Sequence, residues 1–219
     1  MKLVSVIIPT FNRYKSLLNA IKSIKEQTYK NIEIIVINDA STDDNYYNSR
    51  INGVIMINLP DQKLEFPCAG NVRNFGINVS SGYYICFLDD DDYFLPDKIE
   101  LQVKYMEKYQ NIKLCCTEAL TGNGIRYNRE HCWNLLKKKL NLDNDYPDVF
   151  NLNFIKRHNC IITSSVMLSK SIITKVGLMK LLPNGSEDYD YWLRILHHTN
   201  CIYIKKPLIY YDNHGSHKL

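Results

Sequence analysis

Residues 84–92 read Tyr-Ile-Cys-Phe-Leu-Asp-Asp-Asp-Asp, so four consecutive carboxylates come directly after an apolar run. A short apolar run of this kind predicts a buried strand from Tyr84 to Leu88. In an open parallel α/β sheet, ligands bind at the carboxyl ends of the strands. Clustered carboxylate oxygens suit Mg²⁺ or Mn²⁺, which keep coordination positions open for phosphate oxygens. The stretch therefore predicts a metal and diphosphate site. The alternative is a solvated acidic loop that caps a helix beginning near Pro96.

Strand-like and helix-like segments alternate before this acidic run. Leu3 to Ile8 and Ile32 to Ile37 are β-branched runs, and apolar residues recur at helical spacing over 17–24 between them, which is a βαβ pattern. A third strand is predicted at Val54 to Leu59, followed by a short helix at Asn71 to Val79. This alternation predicts a mostly parallel, doubly wound sheet flanked by helices.

The alternation continues after the acidic run but weakens between Thr121 and Asn159, where we expect variable, substrate-facing structure. The elements predicted beyond residue 95 are a helix from Pro96 to about Tyr109, a strand at Lys113 to Ala119, a helix around His131 to Leu140, a strand at Ile161 to Leu168, helices at Ser171 to Val176 and Glu187 to His198, and a strand at Pro207 to Tyr211.

The composition is that of a soluble globular protein, with 219 residues, 45% hydrophobic and 23% charged, and a formal net charge of +4. So small a charge gives no reason to expect nucleic-acid binding. No apolar run approaches the ~18 residues of a transmembrane segment, and Met1 to Pro9 has no cleavage-site pattern. We expect a cytoplasmic protein, with peripheral membrane association left open. The scattered cysteines, never spaced Cys-x-x-Cys, predict small buried hydrophobes rather than a zinc site.

Six motifs carry a resemblance to a known family by their order and spacing. They are Val4–Asn12, Glu33–Asp43, Asn71–Ile77, Phe87–Asp92, Ser186–Arg194 and Tyr210–His214. From about residue 3 to residue 214, the chain resembles the inverting, nucleotide-sugar-dependent glycosyltransferases of family 2. The resemblance implies a GT-A fold, a Rossmann-like doubly wound mixed sheet flanked by helices. It also implies one catalytic domain over 1–219, with a nucleotide-sugar-binding half at 1–119 and an acceptor-binding half at 120–219.

The resemblance places the nucleotide at the ends of the first two strands. Pro9, Thr10 and Asn12 would surround it. The carboxylate of Asp39 would accept hydrogen bonds from the base, typically uracil. From the residues alone, these four are also consistent with turn or cap chemistry. Arg73 would lie near the diphosphate, since a guanidinium is a rigid donor fork that suits phosphate, and a surface salt bridge is the alternative.

The acidic run matches the family spacing Asp-x-Asp-Asp. By resemblance, Asp89 contacts the ribose or the metal shell, and Asp91 ligates the Mn²⁺ or Mg²⁺ ion that bridges the two phosphates. Asp90, at the normally variable position, is assigned with Asp89 to nucleotide-sugar binding. Because four aspartates follow one another up to Asp92, the register is open by one residue. His214 matches a histidine that completes the metal or diphosphate site in many relatives, although a lone histidine near a C-terminus is usually inert.

Asp188, at a predicted helix start, is the candidate general base that takes the acceptor's proton as the new bond forms. A helix N-terminus favours the ionised carboxylate, which a base requires, although it also lowers the basicity of that group. Helix capping is the alternative role on general grounds. Glu187 and Asp190 are assigned to acceptor contacts or to the layer of residues behind them.

The sequence therefore predicts a metal-dependent inverting glycosyltransferase that uses a nucleoside-diphosphate sugar, by preference a UDP-sugar. Two alternatives stay open: a protein that binds nucleotide sugars without turnover, and a metal-dependent nucleotidyltransferase. The latter normally carries a Gly-rich phosphate loop near its first strand, and Gly122-Asn-Gly124 lacks the rest of a dinucleotide fingerprint. The sequence identifies neither the sugar nor the acceptor, which could be a glycan, a lipid or a protein. We expect acceptor contacts from Thr121 to Asn159 and from Leu178 to Ser186.

Overall fold

A computed structural model describes residues 1–61, 68–122, 130–131, 134, 137–138, 147–157, 159–183 and 185–212. Its helices are α1 (Tyr14–Lys25), α2 (Asn45–Asn48), α3 (Ala69–Val79), α4 (Lys98–Lys108), α5 (Leu152–Ile155), α6 (Ile173–Val176) and α7 (Glu187–Leu196), with 3₁₀ turns at Thr163–Ser165 and Lys170–Ile172. Its strands are β1 (Val4–Thr10), β2 (Ile32–Asp39), β3 (Val54–Leu59), β4 (Tyr84–Phe87), β5 (Tyr93–Phe94), β6 (Leu114–Gly122), β7 (Glu130–His131), β8 (Val149–Phe150), β9 (Met167–Ser169) and β10 (Cys201–Asp212).

The strands of the described residues form one mixed sheet. Their order is β3-β2-β1-β4-β9-β6-β10-β5, with β7 paired to β6 and β8 paired to β10. Strands β3, β2, β1 and β4 are parallel neighbours, and β6 runs parallel to β10. Strand β9 lies antiparallel between β4 and β6. This arrangement confirms the predicted α/β fold with a doubly wound mixed sheet.

Both faces of the sheet are covered by helices. On β1, Val6 and Ile8 pack into one apolar cluster, whereas Ile7 packs into the cluster on the other face. Helices α1 and α4 contribute to the first cluster, and α3 and α7 contribute to the second. Strands buried on both faces read as continuous apolar runs instead of alternating ones. This explains why the central strands could be found from the sequence.

Two of the predicted strands differ from the structure. The prediction of a strand at Ile161 to Leu168 was mostly wrong. Thr163–Ser165 forms a 3₁₀ turn, and the strand β9 begins only at Met167. The last strand begins at Cys201 instead of Pro207. Pro207 lies inside β10, where the register with β6 shifts. Proline has no backbone N–H to donate to a regular ladder. Within a strand it is therefore found at irregularities of this kind.

The helix predicted at His131 to Leu140 falls largely outside the described residues, and His131 itself lies in β7. The cysteines Cys68, Cys86, Cys115, Cys116 and Cys201 are free and buried, as predicted for small hydrophobes, whereas Cys160 is only half-buried and Cys132 lies outside the described residues. In the described part of the chain, no helix is both long enough and apolar enough to cross a membrane.

Candidate active site

The four aspartates form a tight turn at the carboxyl end of β4. The backbone N–H of Asp92 donates to the carbonyl of Asp89 at 3.1 Å. Adjacent carboxylates repel one another, so a turn of this kind needs partners that separate and compensate the charges. The structure supplies them from separate elements: Arg13 pairs with Asp90 and Asp91, and Arg73 pairs with Asp89.

Asp90 points inward, against the end of β1. Its Oδ2 accepts a hydrogen bond of 2.7 Å from the Thr10 hydroxyl, and its Oδ1 lies 3.2 Å from Arg13 Nη1. Burial raises the pKa of Asp90 to about 6, even though Thr10 and Arg13 act in the opposite direction. Both carboxylate oxygens are thus occupied by protein groups, and Asp90 joins the acidic turn to β1.

Asp92 also points inward, against the last strand and the 3₁₀ turn. Its Oδ1 accepts a hydrogen bond of 2.9 Å from the backbone N–H of Asp212, and its Oδ2 accepts one from the Ser164 hydroxyl. Burial and the charge of Asp89 raise the pKa of Asp92 well above its usual range. Ser164 also accepts a hydrogen bond from the N–H of Asp89 at 3.0 Å, so one serine holds both ends of the turn.

Asp89 and Asp91 are the more exposed members of the run. Their side chains are 25% and 16% exposed, compared with 6% for Asp90. Asp91 Oδ2 lies 2.7 Å from Arg13 Nη1, and Asp89 Oδ1 lies 2.5 Å from Arg73 Nη2. The two carboxylates that a ligand can reach are therefore separated by one residue, and each is paired with an arginine.

Arg73 is a buried arginine of helix α3 with carboxylates on two sides. Beyond its contact with Asp89, its Nη1 lies 3.9 Å from Glu187 Oε1. Burial alone would lower the pKa of Arg73, but the charges of Asp89, Asp188 and Glu187 outweigh it and the pKa is raised. Glu187 comes close because Gly70 leaves room: a Cβ on Gly70 would lie 2.7 Å from Glu187 Cγ. Arg73 therefore connects the acidic turn to the start of α7.

Asp188 lies at the start of α7, beside the 3₁₀ turn. Its Oδ2 accepts a hydrogen bond of 3.1 Å from the Thr163 hydroxyl, and its Oδ1 accepts one of 2.6 Å from the N–H of Tyr189. The residue is half-buried, so its carboxylate is oriented by neighbours and still accessible. Because Thr163 precedes Ser164, one short turn contacts both Asp188 and the acidic run.

Asp190 has a different environment from its neighbours on α7. Its Oδ2 lies 2.7 Å from Arg194 Nε, and its Oδ1 lies 3.4 Å from Lys180 Nζ. Arg194 in turn donates to the carbonyls of Val176 and Leu178. In these contacts Asp190 fixes the segment that follows α6, and its assigned acceptor role stays a prediction.

The loops after β1 and β2 lie side by side at the same sheet edge. Asn12 and Ala40 have φ angles of 52° and 55°, a left-handed conformation that is costly for alanine. The Asn12 N–H donates to the Ser41 hydroxyl at 2.9 Å, and the Asn12 side chain accepts from the N–H of Thr42 at 2.8 Å. Each loop thus holds the other in an unusual backbone conformation, which is typical of functional sites.

Asp39 ends β2 next to this pair of loops. Burial and the nearby charge of Asp61 raise the pKa of the Asp39 carboxyl. On the neighbouring strand, Pro9 pairs in register with Ile37, and Thr10 pairs with Asn38. Since Thr10 also binds Asp90, the predicted nucleotide residues and the acidic run lie at one edge of the sheet. Their individual roles stay predictions.

Residues 5–157 match the family model described as Glycosyl transferase family 2. The chain belongs to glycosyltransferase family 2. This confirms the predicted family and the predicted class of enzyme.

Curated proteins from several bacteria are similar to this family 2 chain. The Escherichia coli UDP-Glc:alpha-D-GlcNAc-diphosphoundecaprenol beta-1,3-glucosyltransferase WfaP is 29% identical over 199 residues, which are 90% of this chain and 71% of WfaP. Uncharacterized glycosyltransferases of Rickettsia felis and Rickettsia bellii are 47% and 44% identical over 48% of this chain. The match spans only 17% and 15% of the length of those two proteins.

Several solved structures share the fold. S. aureus TarS 1-349 in complex with UDP-GlcNAc has a TM-score of 0.71 at 15% identity, over 99% of this chain and 62% of that one. Mannosyltransferase PcManGT from Pyrobaculum calidifontis, in complex with GDP-Man and Mn²⁺, has a TM-score of 0.67 at 14% identity, over 96% of this chain and 57% of that one. At such low identities the likeness shows the GT-A fold alone.

The family 2 motifs did not reveal every residue that forms this site. Arg13, Thr163 and Ser164 contact the candidate carboxylates, and none of them was predicted. A run of three hydroxyl residues inside an apolar segment was the available signal for the 3₁₀ turn. Arg13 had only its position after the Pro9 to Asn12 motif as a signal. His214 lies outside the described residues.

Proposed function

We propose that this chain moves a sugar from a nucleoside-diphosphate sugar, a UDP-sugar, to an acceptor hydroxyl with inversion at the anomeric carbon. One observation carries the proposal: buried Arg73 joins Asp89 of the acidic turn to Glu187, the residue before Asp188. Carboxylates suited to the donor side and a carboxylate suited to the acceptor side thus meet in one network. A single displacement requires both, because leaving group and attacking hydroxyl lie on opposite sides of the reacting carbon.

The nucleotide is proposed to bind at the loops after β1 and β2. The left-handed backbone of Asn12 and Ala40 and the partly buried carboxylate of Asp39 support this placement. The choice of uridine is supported by the relatives: WfaP is named for a UDP-Glc donor, and TarS structures hold UDP and UDP-GlcNAc. PcManGT, which was solved with GDP-Man, makes a guanosine donor the natural comparison in any test.

The acidic turn fits a divalent cation that is held largely by the donor's phosphates. Among the described residues, no group of three or more His, Cys, Asp and Glu could hold an ion. Mg²⁺ and similar ions commonly use one or two carboxylates and complete their shell with phosphate oxygens and water. Asp91, with Asp89 beside it, would hold Mn²⁺ or Mg²⁺, and the ion would neutralise charge on the departing diphosphate. His214 stays a proposed further ligand.

Asp188 is proposed as the general base. In the transfer, the acceptor oxygen bonds to the anomeric carbon, and its proton passes to the carboxylate of Asp188. The bond from that carbon to the diphosphate oxygen breaks, and the diphosphate leaves with the electron pair. The hydrogen bond from Thr163 and the position at the start of α7 orient the carboxylate.

A panel of nucleotide sugars tests this function. UDP-sugars and GDP-mannose are incubated with the protein and a mixture of acceptors, with Mn²⁺, with Mg²⁺ or with a chelator. We expect metal-dependent release of UDP and a product whose anomeric configuration is opposite to that of the donor. Tight UDP-sugar binding without transfer to any acceptor would instead favour the alternative of a binding protein. Release of a sugar 1-phosphate, with the nucleotidyl group passed to an acceptor such as added pyrophosphate, would favour a nucleotidyltransferase.

A further inference from the structure

Arg13 is a positive charge seated on the acidic turn. One nitrogen, Nη1, lies 2.7 Å from Asp91 Oδ2 and 3.2 Å from Asp90 Oδ1. Asp91 is the carboxylate that the proposed function gives to the divalent cation. The guanidinium is therefore paired with the same carboxylate that the proposed cation would use.

The backbone of Arg13 is held by a hydrogen bond, while its side chain is partly exposed to solvent. The Arg13 N–H donates to the Tyr46 hydroxyl at 2.8 Å, and that hydroxyl also bonds the Thr10 hydroxyl at 2.9 Å. The Arg13 side chain is 33% exposed. The guanidinium can therefore change partners without movement of β1 or α1.

The partner that suits a displaced guanidinium is a phosphate. Arginine binds phosphate through the same planar donor fork that binds carboxylate. A cation that binds at Asp91 without nucleotide must compete with Arg13 and is repelled by its charge. When a diphosphate arrives with the cation, its oxygens supply a new partner for the guanidinium, and the competition is relieved.

We infer that Arg13 is the resident counter-ion of Asp91 and makes cation binding depend on the nucleotide diphosphate, to which the guanidinium transfers. This inference rests on the proposed function, because it assumes a cation at Asp91. It assigns Arg13 a positioning role that couples the two ligands. Because such coupling is reciprocal, the cation should strengthen UDP binding by the same factor by which UDP strengthens cation binding, and loss of Arg13 should reduce that factor.

The test measures Mn²⁺ binding directly, from the electron paramagnetic resonance signal of the free ion, with and without UDP. In the wild-type protein we expect UDP to tighten Mn²⁺ binding by about 5-fold or more, a typical coupling strength. In Arg13→Gln, Mn²⁺ alone should bind more tightly than in the wild type. UDP binding in the presence of Mn²⁺, measured by calorimetry, should be weaker. A variant that merely damages the fold would weaken both.

Two further variants separate the contact from general electrostatics. Lys15→Gln removes the same charge from an exposed position on α1 and should leave the coupling unchanged. Arg13→Lys keeps the charge without the fork, so Mn²⁺ alone should bind as in the wild type while UDP affinity falls. If Arg13→Gln leaves the affinity for Mn²⁺ alone unchanged or lowers it, although wild-type protein binds UDP and Mn²⁺ together, the inference alone is overturned. Absence of Mn²⁺ binding to the wild type under all conditions would overturn both the inference and the proposed cation.

Discussion

The Thr163 hydroxyl lies 3.1 Å from Asp188 Oδ2 and donates a hydrogen bond to it. The next residue along the chain, Ser164, binds Asp92 and the backbone of Asp89. Two adjacent hydroxyl residues of one buried turn therefore set the positions of the proposed base and of the acidic run. The proposed donor side and the proposed acceptor side of the site are therefore linked through two consecutive residues.

Asp188→Asn should keep donor binding near the wild-type level and lower turnover by about 100-fold or more, the usual scale for loss of a general base. Asparagine keeps the size of the side chain and can still accept from Thr163, but it cannot take the proton. Steady-state kinetics and UDP-sugar calorimetry measure the two effects separately. Near-normal turnover in this variant would exclude Asp188 as the base.

Thr163→Val should lower turnover by about 10- to 100-fold, since one hydrogen bond to a charged group contributes roughly 1.5–3 kcal/mol. Donor affinity should not change, because the valine removes only the contact to Asp188. Thr174→Val, which removes an exposed hydroxyl bonded to a carbonyl, serves as the control. A change in the Michaelis constant for the donor, with turnover preserved, would contradict a positioning role for Thr163.

Gly70→Ala should reduce turnover. This is expected although residue 70 lies in a helix, where alanine ordinarily stabilises the fold by about 0.5–1 kcal/mol relative to glycine. The added methyl would lie 2.7 Å from Glu187 Cγ and must push Glu187, and with it the start of α7, away from Arg73. Asn78→Ala, on the exposed side of the same helix, should be neutral. Kinetics together with thermal melting check both variants, and an unaffected Gly70→Ala enzyme would show that Glu187 is free to move.

Asp90→Asn should make stability less sensitive to pH. Burial raises the pKa of Asp90 to about 6, above the value of about 3.9 in an unfolded chain. Between these values the folded state holds a proton that the unfolded state releases, so stability falls as pH rises through this window. The variant lacks this loss, which amounts to up to about 3 kcal/mol.

Urea denaturation from pH 4 to pH 7.5 measures this difference. Asp148→Asn, at a side chain that is 82% exposed, should follow the wild-type curve. Parallel curves for the wild type and Asp90→Asn would show that Asp90 is ionised in the folded protein without cost.

UDP with Mn²⁺ should raise the melting temperature of the wild-type protein by roughly 5–10 °C at 100 times the dissociation constant, which corresponds to about 2.7 kcal/mol. Asp91→Ala should remove the Mn²⁺-dependent part of this rise and leave the melting temperature of the unliganded protein nearly unchanged. Asp148→Ala controls for the lost charge. A full Mn²⁺-dependent shift in Asp91→Ala would move the ligand role to another aspartate of the run.

The sequence predicted the strands that lead into the site but not the contacts that complete it. Apolar runs such as Ile32 to Ile37 identify buried strands because the signal is local. The contact of Arg13 with Asp91 joins residues 78 positions apart, and no local pattern encodes it. Likewise, four identical aspartates do not reveal that Asp90 and Asp92 turn inward, since this depends on Thr10 and Ser164, which come from other elements.

Strand β9 has a consequence for how this chain can be made and altered. It belongs to the last third of the chain, yet it fills the space between β4 and β6, which come earlier in the chain. On a ribosome, the part of the chain that carries β1 to β6 would leave the exit tunnel with an unfilled gap in its sheet, and completion of the sheet must wait for later residues. For the same reason, exchanging residues 120–219 with those of a relative would replace a central strand. A chimaera that is meant to change acceptor preference should therefore exchange loops and keep the strands of this chain.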